Sequence, residues 1–149
     1  ASAASMYESA VLEQDKSKQQ TLLSDVARDY RGTSYAAMAQ MLLARLDTAN
    51  AEKHLQAIIT SSKAMDAWKW QARLDLAELY LENKDAAKAA AVLADPVGPA
   101  YEQLRQYLLA KSSSDAAARK DHLQKALDAQ SYDADLKQKI ERMLADSAS

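Results

Sequence analysis

The scarcity of residues that break helices constrains this chain more than any other feature. Only two glycines and two prolines occur in its 149 residues, and the prolines, Pro96 and Pro99, lie close together. Glycine and proline are the residues that most destabilise a helix interior, and strands need β-branched runs, of which the chain has few. The sequence therefore predicts an all-α protein.

Apolar side chains recur at helical spacing in nine segments joined by short polar links. The predicted segments are 3–14, 17–30, 34–48, 50–61, 65–82, 85–94, 98–111, 114–129 and 133–146. Short links force consecutive helices to lie antiparallel to one another. The length allows a core of useful size. We therefore expect a single domain of helical hairpins over residues 1–149.

The stretch DYRGTSYAAMAQ, residues 29 to 40, contains one of the two glycines between two helical patterns. A glycine just past a helix adopts the left-handed closing conformation without a Cβ clash. Thr33 can then accept a hydrogen bond from the next helix as its N-cap. The stretch predicts a tight corner between two helices, centred on Gly32.

A degenerate repeat indicates the architecture. The second helices of three hairpins are alike: AEKHLQAII at 51–59, AAKAAAVLA at 86–94 and RKDHLQKAL at 119–127. The motif HLQ recurs 68 residues apart, which is twice the 34-residue tetratricopeptide period. In the turn ENKD, Asn83 stands where such repeats usually have glycine. The pattern predicts a tetratricopeptide-like right-handed solenoid of about four helical hairpins plus a C-terminal capping helix.

The apolar patterns of two segments support a solenoid of stacked hairpins. Segment 65–82 carries two apolar stripes, whereas a surface helix needs only one. The stripes are Trp70, Leu74, Ala77 and Leu81, and Trp68, Ala72, Leu76 and Leu79. Segment 133–146 has the single stripe Leu136, Ile140, Met143 and Leu144. We expect the first helix to be buried on both sides and the second to cap the end of the domain.

Composition excludes several classes of function. The formal charge of −2, with 19 basic and 21 acidic side chains interspersed, leaves no basic face for nucleic acid. The absence of cysteine excludes disulfides and thiolate metal sites and is compatible with an oxidising compartment. Because the chain opens ASAASMYESA, without an initiator methionine or signal peptide, we expect a soluble part of a longer chain.

The two histidines offer little chemistry. His54 and His122 occupy matching positions of two repeats, and we expect each on the exposed side of its helix, just before a buried leucine. A metal or catalytic role needs further ligands or a nucleophile near them. No phosphate-binding glycine loop or protease motif occurs. We expect no enzymatic activity, no metal and no cofactor, and keep an enzyme using either histidine as the alternative.

The carboxylates of segment 65–82 suggest a binding site. Asp75, Glu78 and Glu82 share one helix face with Gln71. This face is either solvated or lines a concave groove, where first helices of repeats present their ligand contacts. Neighbouring helices can add Tyr35, Met38 and Arg45 on one side and Tyr101, Arg105 and Leu108 on the other. Simple core packing is the alternative for Met38. Such a groove is typical of peptide or helix recognition.

The corner DYRGTSYAAMAQMLLARL resembles that of the YfgM-like family, ancillary subunits of the bacterial SecYEG translocon. The similarity continues through 51–59, through WQARLDLAELYLENKDAAKAAAVL at 70–93 and through DAAARKDHLQKAL at 115–127. It covers nearly the whole chain.

The resemblance implies a protein of the bacterial inner membrane, with one N-terminal transmembrane helix and a periplasmic tetratricopeptide-like domain. The implied partners are the SecYEG translocon, a periplasmic chaperone of the prolyl-isomerase type, and secreted client chains. The implied function is non-enzymatic help during protein export. The alternative is another periplasmic tetratricopeptide adaptor, serving outer-membrane or cell-wall assembly.

Overall fold

The computed structural model describes residues 2–147 and is helical throughout that range, without a strand. The all-α prediction is therefore confirmed. Nine α-helices and one 3-10 turn lie within the described part. They are α1 (Ala3–Leu12), α2 (Lys16–Asp29), α3 (Ser34–Leu46), the 3-10 turn Thr48–Asn50, α4 (Ala51–Ile59), α5 (Asp66–Glu82), α6 (Ala86–Val92), α7 (Pro99–Ser112), α8 (Ala116–Asp128) and α9 (Ala134–Ser147).

Short polar side chains start most of these helices. Asp15, Asp85 and Asp115 each accept a hydrogen bond from the backbone N–H three residues further on, at 2.9, 3.1 and 2.9 Å. Each cap satisfies an amide that the helix itself leaves without a partner. Pro99 occupies the first position of α7, where a missing N–H has no cost. The links of the sequence therefore encode the helix starts.

The chain divides into two compact units, Ala1–Ala72 and Arg73–Ser149, and α5 contributes residues to both. In the first unit, α2 packs against α1 and α3, and α3 packs against α4. Its core is formed by Ala10, Leu23, Val26, Ala39 and Leu43, all 2 % exposed or less. Met6 and Tyr7 of α1 pack on this core, so the N-terminal helix covers one side of α2 and α3.

In the second unit, α7 packs against α6 and α8, and α8 packs against α9. Its core is formed by Ala110, Leu123, Ala126 and Ile140, which are fully buried. Leu136, Met143 and Leu144 pack against them. The single apolar stripe predicted for the last helix is thus the face that α9 turns toward the core.

Both apolar stripes of α5 have a buried centre and half-buried ends. Ala72, Leu74, Leu76 and Ala77 are fully inaccessible to solvent. Trp68, Trp70, Leu79 and Leu81 are half-buried. A helix with apolar side chains on two sides can satisfy both only by being covered on both.

The corner between α2 and α3 has the predicted form. Gly32 adopts a φ of +86°, and the Thr33 hydroxyl accepts from the Ala36 N–H at 3.2 Å. The position needs glycine for a second reason. A Cβ added there would lie 2.6 Å from the Cδ atom of Lys63, whose side chain crosses this corner.

The turn ENKD contains a residue in the left-handed conformation. Lys84, and not Asn83, has a positive φ, of 60°. The Asp85 N–H bonds to the Tyr80 carbonyl at 2.8 Å and so closes α5. This six-residue closure requires the left-handed residue immediately before Asp85.

Candidate functional site

A cleft of about 640 Å³ opens in the second unit, bordered by α5, α7 and the first turns of α9. We call it the acidic cleft. It is lined by Glu78, Leu81, Glu82, Leu104, Tyr107, Leu108, Lys111, Asp133, Asp135, Leu136 and Lys139.

The acidic cleft combines an apolar floor with a charged rim. Leu108 is buried, whereas Leu81, Leu104, Tyr107 and Leu136 are half-buried. All the charged side chains of the lining are exposed, four of them carboxylates and two of them lysines. This arrangement suits a partner segment that presents apolar anchors and basic groups.

The carboxyl group of Glu78 is partly desolvated by its neighbours, although the residue is exposed. This desolvation, followed by the repulsion of Asp75, raises its pKa above the ordinary value, and Lys111 and Lys139 oppose the shift. The ammonium of Lys111 lies 5.5 Å from the centre of the Tyr107 ring, within cation–π range. An added cation at the rim would therefore stabilise the carboxylate form of Glu78.

The start of α9 is held in place by one of the rim carboxylates. The Asp133 Oδ1 atom accepts from the backbone N–H groups of Asp135 and Leu136, at 3.0 and 3.2 Å. This cap fixes the direction in which α9 leaves its loop. The contribution of α9 to the cleft was missed in the sequence, where the segment is interpreted only as a cap of the domain.

Three of the ten residues predicted for the groove come together here. Glu78, Glu82 and Leu108 line the acidic cleft. Asp75 and Tyr101 are half-buried and lie outside its lining, although each makes a polar or electrostatic contact. The acidic face of α5 therefore does border a cleft, through its C-terminal half.

Arg105 holds the end of α6. Its Nε and Nη2 atoms donate to the carbonyls of Leu93 and Ala94, at 2.8 and 3.3 Å. Its Nη1 atom pairs with Glu102 at 2.8 Å. These two carbonyls follow Val92, the last residue of α6, and Arg105 satisfies them where the helix provides no partner. The helix ends two residues before the predicted residue 94.

The groove residues predicted from the first unit do not line a common cleft. Tyr35 packs on the core of that unit, with its ring 5.8 Å from that of Tyr7. Met38 and Gln71 are half-buried, and Arg45 is exposed near the end of α3. The helix α3 is apolar on nearly every side, so the sequence pattern did not determine which side faces a cleft.

The exposed position predicted for the histidines was wrong. His54 is half-buried, with Nδ1 at 3.0 Å from the Gln40 Oε1 atom and Nε2 at 2.9 Å from Asp47 Oδ2. His122 is also half-buried, and its Nδ1 lies 2.8 Å from Gln106 Oε1. The leucines after them, Leu55 and Leu123, are buried as predicted.

The same histidine–glutamine pair thus joins two helices in each unit. Gln106 Nε2 donates to Glu102 at 2.8 Å, so its Oε1 accepts from the His122 N–H. Burial lowers the pKa of His122, and the neighbouring Lys125 lowers it further. Both pairs are contacts between packed helices. Among residues 2–147, no three histidine, aspartate or glutamate side chains are grouped closely enough to hold a metal ion.

Comparison with known proteins adds the family. No curated protein and no solved structure matches the chain. A family model described as a tetratricopeptide repeat-like domain matches residues 1–146. Domains of this kind are helical modules that bind other proteins and are generally not catalytic. Since the match spans almost all of the chain, the protein belongs to the tetratricopeptide repeat-like domain family.

Proposed function

We propose that this domain binds a partner protein through the acidic cleft, taking up an amphipathic segment with basic side chains. The observation that supports this most directly is the lining itself. Apolar side chains of α5, α7 and α9 form the floor, and Glu78, Glu82, Asp133 and Asp135 form the rim. Apolar contact supplies affinity, while the rim charges set orientation and partner choice.

We further propose that the protein is a periplasmic ancillary subunit of the SecYEG translocon, which links it to a chaperone during the export of secreted proteins. The support is the resemblance along residues 29–46, 51–59, 70–93 and 115–127. A chain without cysteine also suits an oxidising compartment. Within residues 2–147, no helix is long and apolar enough to cross a membrane.

The test is a pull-down from detergent-solubilised bacterial envelope, with translocon subunits and chaperones identified by mass spectrometry. The wild-type domain is compared with Glu78→Arg/Glu82→Arg, which reverses two exposed rim charges. The matched control is Glu8→Arg/Glu141→Arg, which changes the net charge equally at exposed positions outside the cleft.

We expect the wild type and the control to recover translocon subunits and the rim variant to lose them. If all three proteins recover translocon subunits equally, the translocon remains the partner but the acidic cleft is not its binding site. Failure of the wild type and of a full-length, membrane-anchored form to recover them would reject the translocon role. Recovery of outer-membrane or cell-wall assembly proteins instead would favour the alternative adaptor function.

A further inference from the structure

A second cleft, in the first unit, has the opposite charge. Its volume is about 790 Å³, within the range of ligand-binding pockets. We call it the basic cleft. It is lined by Ser24, Ala27, Arg28, Arg31, Gly32, Thr33, Ala36, Ala37, Gln40, Lys53, His54, Ala57, Ile58, Thr60, Ser61, Ser62, Lys63 and Ala64. Four basic side chains belong to this lining, and no carboxylate does.

Three of the four cations form no ion pair within the described residues, although the charge of Lys53 helps to lower the pKa of Asp47. Arg28 pairs with Asp25 and Asp29, at 3.1 and 2.8 Å. In contrast, Arg31, Lys53 and Lys63 are exposed and form no ion pair with any residue of the described range 2–147. The basic cleft therefore carries positive charge that the first unit does not neutralise by direct pairing.

Lys63 borders the cleft beside the corner between α2 and α3. Its methylene groups pass over Gly32, which leaves room for them because it has no Cβ. A cation of the α4–α5 loop therefore belongs to the lining. The N-terminal end of α3 and the C-terminal ends of α2 and α4 border the cleft, so the helix dipoles supply no net positive potential. The preference for an acidic ligand therefore comes from the basic side chains.

The rest of the lining suits a peptide. Ala27, Ala36, Ala37 and Ala57 leave room for a main chain to lie close to the helices. The hydroxyl groups of Ser24 and Ser62 offer hydrogen bonds to peptide groups or carboxylates. The Thr60 hydroxyl already donates to the Gln56 carbonyl at 2.8 Å, and Ser61 Oγ already accepts from the N–H groups of Lys63 and Ala64. A surface of small apolar side chains bordered by cations is complementary to an extended chain with acidic side chains.

From this charge complementarity, we infer that the basic cleft binds an acidic extended segment of a partner protein, with Arg31, Lys53 and Lys63 pairing with its carboxylates. The inference is independent of the function proposed for the acidic cleft, because the two linings share no residue. A protein with both sites can hold two segments of opposite charge.

The test uses fluorescence anisotropy with a labelled peptide of alternating glutamate and alanine, and a glutamine–alanine peptide for comparison. We expect the wild type to bind the glutamate peptide in a salt-sensitive manner and to bind the glutamine peptide far more weakly. Arg31→Glu/Lys63→Glu should weaken the affinity at least about tenfold. The control Lys120→Glu/Lys137→Glu, at exposed positions outside the cleft, should bind like the wild type.

A second variant guards against misfolding. Arg31→Gln/Lys63→Met removes both charges but keeps an unbranched chain over Gly32, and it should weaken binding in the same direction. Equal loss in the control, equal binding of the glutamine peptide, or no binding by the wild type would overturn the inference. So would binding to vesicles of anionic phospholipid, lost in the cleft variants, without binding to the peptide.

Discussion

The two units are built on a shared internal contact and differ at their surfaces. In each, a histidine of one helix pairs with a glutamine of the preceding helix, His54 with Gln40 and His122 with Gln106. Yet the cleft of the first unit is lined only by basic charges, whereas that of the second has mostly acidic ones. The same histidine–glutamine contact between helices therefore occurs in two units whose clefts have opposite charge.

The cores of the two units should be equally sensitive to truncation. Leu23 in the first unit and Leu123 in the second are both fully buried. Each change to alanine should lower the free energy of unfolding by about 2–5 kcal/mol, through lost transfer energy and the cavity left behind. Urea unfolding followed by circular dichroism measures this.

Leu12→Ala is the control for these core changes, since Leu12 is 69 % exposed. It should change the free energy of unfolding by no more than about 0.5 kcal/mol. A small effect of either Leu23→Ala or Leu123→Ala would show that the corresponding core is not packed as described.

Substitutions at the two residues with a positive φ, Gly32 and Lys84, should change the stability in opposite directions. Gly32→Ala should destabilise the protein by about 1–2 kcal/mol for the backbone alone, because alanine disfavours this region. The collision with Lys63 adds to that loss. Lys84→Gly should raise the free energy of unfolding by about 0.5 kcal/mol. Removing the Cβ at a positive φ stabilises the folded state by more than the added flexibility of glycine stabilises the unfolded chain.

Thermal and urea unfolding of both turn variants test this contrast. The control is Asn83→Gly, since only Lys84 of that pair has a positive φ. Asn83→Gly should lower stability or leave it unchanged. Stabilisation by Asn83→Gly and not by Lys84→Gly would contradict the positive φ at Lys84.

The smallest expected changes in stability involve two carboxyl groups whose pKa values shift in opposite directions. Hydrogen bonds from His54 and then Asn50 lower the pKa of Asp47, whereas burial and then Asp75 raise that of Glu78. Asp47 therefore stabilises the fold above the unfolded value of 3.8, and this contribution is lost as pH falls through the lowered pKa. Glu78 destabilises the fold as pH rises above 4.5.

Stability curves against pH should separate the two groups. At neutral pH, Asp47→Asn should be less stable than the wild type and Glu78→Gln slightly more stable. Both differences should shrink in acid, that of Glu78→Gln at the higher pH. A loss of stability for Glu78→Gln at neutral pH would contradict the pKa shift described for the cleft.

The helices, their links and the corner at Gly32 were all predictable, because local patterns govern them. Helical spacing and short polar links placed all nine segments within two residues of the bounds observed in the described part of the chain. The acidic face of α5 was also recognisable, and two of its carboxylates, Glu78 and Glu82, line a cleft. The position of the left-handed residue in the turn after α5 was not predictable. The turn has the same composition whether this residue is Asn83 or Lys84.

The all-α class, the repeat and the apolar residues of the cores follow from local patterns in the sequence. Which sides of the helices form clefts depends instead on how the helices pack. The helices α3 and α5 are apolar on more than one side, so their periodicity does not specify their rotation. Arg105 and Lys63 illustrate the same point. Arg105 donates to the carbonyls of Leu93 and Ala94, just after α6, and Lys63 passes over Gly32. Both contacts join residues that are distant along the chain.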